Sequence, residues 1–281
     1  MKKIESNTLD NELNDYEAEQ VEKIKKWKNS KPGVVSNAMS KAAAPVASVI
    51  NAVIPEAAIR GALEGANELG RLLADTKGIV RKSQLNSIED LRYVDLKICD
   101  KLANEVQGWA VGIAAAEGGA TGIYGAFGTV VDIPTVTTIA MRTIHKIGLC
   151  YGFECKTEED KQFALGILSI SGSNSVKEKN LALAKLKSIH TTIAKETWKK
   201  ISEKAANNRL SDEATIIMIK KVAKKLGINL TKRKALQILP LVSAVVGSSS
   251  NAWFMKEVSN AAKRAFQERW LIENGKIIDV T

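Results

Sequence analysis

Histidine is almost missing from this sequence. Only His145 and His190 occur among 281 residues. With no HExxH pair and no Gly-x-Ser-x-Gly turn, the familiar imidazole-dependent hydrolase constellations are thin. A P-loop is also lacking, because the glycines between 118 and 128 are not followed by Gly-Lys-Ser/Thr. No strand pattern precedes them, as a dinucleotide fingerprint would require. Aromatic residues make up only 5%, too few to interleave with basic residues as base-stacking platforms, so nucleic acid is disfavoured as a partner. The three cysteines, Cys99, Cys150 and Cys155, are an odd and unclustered set with only His145 nearby in sequence. They read as small apolar fillers in a reducing compartment, and neither a metal nor a cofactor is expected. No apolar stretch follows the opening MKKIESN, so a cytoplasmic location is expected. Five prolines and scarce alternating β-branched runs argue against an all-β fold.

What is present is helix. Ala, Leu, Lys and Ile recur at helical spacing throughout a chain that is 45% hydrophobic and 26% charged, ordinary values for a globular protein with a sizeable core. The expected fold is all-α: a multi-helix globular bundle around a Gly/Ala-rich central helical hairpin. Residues 1–15 are expected to be a disordered start, and residues 16–281 a single helical domain.

Tyr16, Val21, Ile24 and Trp27 predict an amphipathic helix edged by lysines. Pro55-Glu56 opens another, with Ile59, Leu63, Ala66, Leu69 and Leu73 on its apolar face. Residues 42–55, uncharged but broken by Pro45, read as a buried or interfacial helix too short to span a bilayer. Ser87-Ile-Glu-Asp90 resembles a capping box leading into Leu91, Val94, Ile98, Leu102 and Val106. Asp132 reads as an N-cap with Pro134 in the first turn of a helix ending near Tyr151-Gly152. Thr157 and Ser175 read as two further helix starts, with Ser171, Ser173 and Ser175 in a solvated loop between them. A helix over 211–226, a short one after Thr231, and a last long one from about Leu241 to Glu273 complete the expectation.

One segment stands apart. From Trp109 to Val131 the only charge is Glu117, and Gly118, Gly119, Gly122, Gly125 and Gly128 leave a helix there with an almost bare stripe. Each interior glycine forfeits roughly 1 kcal/mol relative to alanine, a loss that close approach of another backbone or a lipid chain would offset. The segment does not insert by itself. Its six strongly apolar residues contribute about −3 kcal/mol, and one central charge cancels most of this at about +2.5 kcal/mol. Residues 235–255 are also uncharged but are weakened by Pro240, Gly247, Ser248-Ser-Ser250 and Asn251. A soluble fold with a membrane-facing surface is therefore favoured over an integral one, and insertion of the glycine segment after docking is left open.

Charge is unevenly distributed. Residues 1–160 carry 19 basic against 22 acidic side chains, and residues 161–281 carry 22 against 9, or −3 and +13. The basic half, with Lys232-Arg233-Lys234 as its densest run, suits an anionic membrane surface, each nearby cation contributing about 1 kcal/mol. Glu117 and Asp132 bracket the glycine stripe. Glu117 in an apolar run must be paired, protonated or near water. As an alternative, Glu117 is a general acid/base and Asp132 its assistant in a hydrolase-like enzyme on lipid or cell-envelope precursors.

Several blocks in fixed order carry a resemblance: Glu117-Gly-Gly-Ala-Thr-Gly122, Asp132-Ile-Pro134, Leu149-Cys-Tyr-Gly-Phe153, Pro240 to Gly247, Asn251-Ala-Trp253 and Ala261 to Phe266. In these the chain resembles the EcsC family of bacterial proteins over nearly its whole length. The resemblance implies a mostly helical, cytoplasmic or membrane-associated bacterial protein. It places Glu117 and Asp132 at acidic positions of the family and brings no agreed catalytic residue. The leading expectation is a regulatory, accessory or effector protein peripheral to the inner face of the membrane. Its expected partner is anionic lipid or a membrane protein, with homo-oligomerisation left open.

Overall fold

The computed structural model describes residues 12–32, 56–121, 129–173, 175–207 and 248–277. These residues form eight α-helices and one 3-10 turn, with no strand among them. The fold is all-α. Helix α1 spans Asp15–Asn29, and its start is fixed by a reciprocal box in which Asn14 Oδ1 accepts from Glu17 N–H at 2.8 Å while Asn14 N–H donates to Glu17 Oε2 at 3.0 Å. Val21, Ile24 and Trp27 pack into the body of the protein.

Helix α2 is Glu56–Leu72, and it sits rotated from the expected apolar face. Ala66, Asn67 and Gly70 are buried, while Leu69 and Leu73 stay 47% and 44% exposed. Gly70 explains the rotation: a Cβ there would lie 2.6 Å from the Arg142 backbone nitrogen and 2.7 Å from Met141 Cβ. The bare position lets two backbones approach, and the rest of the helix follows that contact.

After α3 (Thr76–Ser83), capped by Asp75 accepting from Gly78 N–H at 3.0 Å, comes the Ser87–Asp90 pair. The box is present, with Ser87 N–H on Asp90 Oδ2 at 2.9 Å and Asp90 N–H on Ser87 Oγ at 3.3 Å. It caps only the 3-10 turn Glu89–Arg92. Helix α4 restarts at Leu96 and runs to Thr121, with Asp95 accepting from Lys97 N–H at 2.8 Å. The restart shifts the buried stripe to Leu96, Cys99, Leu102, Ala103, Val106, Ala110 and Ala114, and leaves Ile98 in solvent.

Helix α5 spans Thr129–Cys150. It begins three residues before Asp132, so Asp132 lies inside the first turn and is not the N-cap. Gly152 ends the helix as expected. Its φ of 86° allows Gly152 N–H to reach Leu149 O and Phe153 N–H to reach Gly148 O, a Schellman closure.

Helices α6 (Glu158–Ser171) and α7 (Val176–Asn207) form an antiparallel pair. They are capped by Thr157 and by Ser175, whose hydroxyl accepts from Glu178 N–H at 3.1 Å. Ser171 and Ser173 are not a solvated loop: both are buried, their hydroxyls bonded back to Ile167 O and Ser169 O. Helix α8 spans Ser248–Glu273 and closes on Gly275 at φ 70°. Of the start expected to be disordered over 1–15, residues 1–11 lie outside the described residues, while Asn14 caps α1 and Asp15 begins it. The helices expected at 42–55, over 211–226 and after Thr231, and residues 241–247 of the last helix also lie outside the described residues.

Two ends organise the bundle. Asp100 meets Tyr151 and Gln267, Asn104 meets Lys263, and Trp270 meets Leu91, so α5 and α8 both run antiparallel to α4. Asn67 meets His145 while Gly70 meets Met141, so α2 runs parallel to α4. The base gathers the start of α4, the ends of α5 and α8, and the start of α6. The apex gathers the end of α4, the start of α5, the end of α2 and the start of α8.

Candidate functional site

Of the residues singled out from sequence, Glu117, Gly118 and Gly119 fall in the last turns of α4 and Asp132 in the first turn of α5. The side chains of Glu117 and Asp132 lie outside the described ones. Gly122, Gly125, Gly128, Lys232, Arg233 and Lys234 also lie outside the described residues. What the structure adds is the surface from which this segment departs and the polar core beneath it.

At the apex, Trp109 of α4 is held between two cations from α5. Arg142 Cζ and Lys146 Nζ each lie 4.8 Å from its ring centre. The spacing follows from the sequence, because residues 142 and 146 are one helical turn apart on the face toward α4. Arg142 also donates to Leu73 O at 2.9 Å, and Lys146 lies 3.4 Å from Asp75. Arg142 therefore links the indole to the end of α2, where Leu69 and Leu73 are joined by Leu72 at 67% exposure. Single exposed leucines mean little, but three beside a tryptophan and two cations form an amphipathic collar. Helix α4 continues from Trp109 to Thr121, roughly 18 Å of further helix, and carries the glycine-rich sequence away from that collar.

The base holds charge inside. Asp100 is buried and accepts from Tyr16 Oη and Tyr151 Oη, both at 2.6 Å, and from Gln267 Nε2 at 2.7 and 2.8 Å. Burial first, then the adjoining carboxylate, pushes both tyrosine pKa values up. Arg269, also buried, donates to Asp160 at 2.7 Å and Glu273 at 2.8 Å, with its guanidinium carbon 4.1 Å from the Phe153 ring centre. Burial would lift the Asp160 pKa, but the Arg269 charge and the Thr157 bonds outweigh it and hold the carboxyl below its ordinary value.

His145, expected to be an ordinary helix-face residue, is 1% exposed; its Nε2 lies 2.7 Å from Asn67 Oδ1 and its Nδ1 has no hydrogen-bond partner. Burial, reinforced by Arg71, lowers its pKa to about 4. Cys99, Cys150 and Cys155 are buried free thiols, and desolvation pushes Cys99 and Cys155 up to about 12. Among the described residues no group of histidine, cysteine and carboxylate side chains is placed to hold a metal. These clusters have the marks of structural polar networks, in which each buried charge is satisfied from several helices.

No described helix is long and apolar enough to cross a membrane. No solved structure matches the chain. It is 22% identical to the uncharacterized protein YdbA of Bacillus subtilis (strain 168) over 214 residues, 74% of this chain and 73% of that protein. It is 26% identical to protein EcsC of the same organism over 165 residues, 57% of this chain and 59% of that protein. The EcsC protein family itself matches residues 18–271, from within α1 almost to the end of α8, and the chain belongs to that family.

Proposed function

We propose that this chain is a peripheral protein of the inner face of the bacterial membrane, acting there as a regulatory, accessory or effector component. The observation that carries the reading is the apical collar. Trp109 between Arg142 and Lys146, with Leu69, Leu72 and Leu73 in solvent beside them, has the composition of a membrane-interface anchor. The indole sits at headgroup depth, the cations meet lipid phosphates, and the leucines enter the acyl boundary. The glycine-rich sequence beyond the collar, with Glu117 as its one charge, is the part suited to close packing or partial insertion, and the +13 half supplies further attraction to anionic lipid. Nothing among the described residues lends weight to the enzymatic alternative.

Vesicle flotation tests the proposal. The protein is expected to float with phosphatidylglycerol-containing vesicles, to do so poorly with phosphatidylcholine alone, and to be released as salt rises. Equal failure to float with both vesicles overturns it.

A further inference from the structure

A second feature lies away from the collar, on the opposite face of α8. A cavity of about 170 Å³ opens where the C-terminal ends of α1 and α6 meet the first turn of α7 and the side of α8. At a liquid-water share of about 30 Å³, it holds some five or six waters. It is well short of the roughly 300 Å³ at which pockets for larger ligands begin, so nucleotides and large cofactors do not fit.

The donors and acceptors around it are unbalanced. Two lysines line it: Lys31, which is exposed, and Lys179, which spends all three ammonium protons on the end of α1, on Trp27 O, on Ser30 O at 2.8 Å and on Ser30 Oγ at 2.9 Å. Trp27 O already accepts from Ser30 N–H and Ser30 Oγ, and Lys179 adds to this C-terminal cap. Glu257, which lines the same cavity from α8, has no hydrogen bond or ion pair among the described residues; the Lys179 and Lys256 charges reach it only through space. Its burial raises its carboxyl pKa. Asn260, one turn further along α8, also lines the cavity without a hydrogen bond among the described residues. Ser171 and Ser173 have given their protons to Ile167 O and Ser169 O and offer lone pairs only. Trp27, whose ring centre lies 5.7 Å from Lys179 Nζ, and Trp253 complete the wall, and the end of α6 adds the negative pole of its dipole.

We propose that this cavity is a binding site for a small organic ammonium group. Glu257 accepts from the ammonium, Ser171, Ser173 and Asn260 supply neutral acceptors, and the Trp27 and Trp253 indoles cover the cation. A carboxylate next to aromatic rings recognises such groups by charge-assisted hydrogen bonding and cation–π attraction together. The two tryptophans and the volume favour an amine of a few heavy atoms over a bare metal ion. The chemistry is shared by free ethanolamine-type amines and by the headgroup of phosphatidylethanolamine, and it is independent of the collar.

Isothermal titration of the full chain with ethanolamine, in buffer without lipid, tests the site. Saturable binding is expected, with no binding of 1-propanol, its neutral analogue of similar size. Glu257→Gln, which removes a half-buried carboxylate lacking a direct partner and should fold normally, is expected to weaken ethanolamine binding about tenfold or more. Absence of ethanolamine binding, equal binding of 1-propanol, or an unchanged Kd in Glu257→Gln overturns the proposal. If the variant does not fold, the wild-type comparison of ethanolamine with 1-propanol decides by itself. Flotation on neutral vesicles with and without phosphatidylethanolamine then separates the sources. A Glu257→Gln effect confined to the phosphatidylethanolamine vesicles assigns a lipid headgroup, and its absence alongside ethanolamine binding assigns a free amine. Failure of the collar reading would appear only on phosphatidylglycerol vesicles and would leave the titration untouched.

Discussion

The base and the apex of this bundle handle unfavourable groups in opposite ways. At the base, charges that folding removes from water are each met by side chains from distant helices: Asp100 by Tyr16, Tyr151 and Gln267, and Asp160 by Arg269. At the apex, leucines that folding would normally remove from water are left in it, next to Trp109, Arg142 and Lys146. Polar groups buried with full satisfaction serve one native packing. Apolar groups left exposed together serve an encounter. The contrast separates the part of the molecule that maintains the fold from the part suited to meeting something else.

The largest effect should come from breaking the base. Arg269→Met removes the guanidinium while leaving Asp160 and Glu273 in place, and a buried pair deprived of one member costs about 3–5 kcal/mol. Urea unfolding should show this loss, and adding Asp160→Asn should restore part of it. Next is a pH effect at His145, between α2 and α5. Burial lowers the His145 pKa from 6.5 to about 4, so the unfolded chain takes up a proton near pH 6.5 that the folded chain resists until near 4. The stabilisation is complete above pH 6.5 and is lost as pH falls towards 4, amounting to about 3 kcal/mol. His145→Gln should flatten this limb of the stability–pH curve, and an unchanged slope would assign the effect to other groups.

Third in size are the phenols on Asp100. Tyr151→Phe at the fully buried site should cost about 2–3 kcal/mol and Tyr16→Phe, nearer the surface, about 1–2 kcal/mol, since each loses a hydrogen bond to a charged acceptor. Equal values would mean that Asp100 holds the two helices alike. Smallest in stability, and decisive for the apex, is Leu72→Asp. At 67% exposure it should change the unfolding free energy by no more than about 0.5 kcal/mol. It should nevertheless lower flotation with anionic vesicles severalfold, whereas Arg269→Met in its folded fraction should not.

Most helix boundaries were legible in the sequence because they depend on neighbours. Thr157 with Asp160, Ser175 with Glu178, Gly152 and Gly275 each act within four residues, and all four end or begin helices where expected. The failures come from tertiary contact. The Ser87–Asp90 box formed but closed only a single turn, and α2 turned its leucines outward because Gly70 fixed its approach to α5. The polar core was not legible at all: Tyr16, Asp100, Tyr151 and Gln267 are spread over the chain, and nothing local marks them as one cluster. The collar had a faint signal in the one-turn spacing of Arg142 and Lys146, but its Trp109 came from another helix. Glu117 and Asp132, conspicuous by their apolar context, have side chains outside the described residues, so their sequence signal stands as an expectation.

The placement of the sulfur atoms has a practical side. Cys99, Cys150 and Cys155 are at most 1% exposed and all belong to the base, so an alkylating reagent can reach them only when that end opens. The native sequence thus contains its own clock for breathing at one pole, while excursions at the other pole go unrecorded. Time-resolved alkylation by intact mass would show whether contact with vesicles loosens the whole bundle or leaves its sealed end undisturbed.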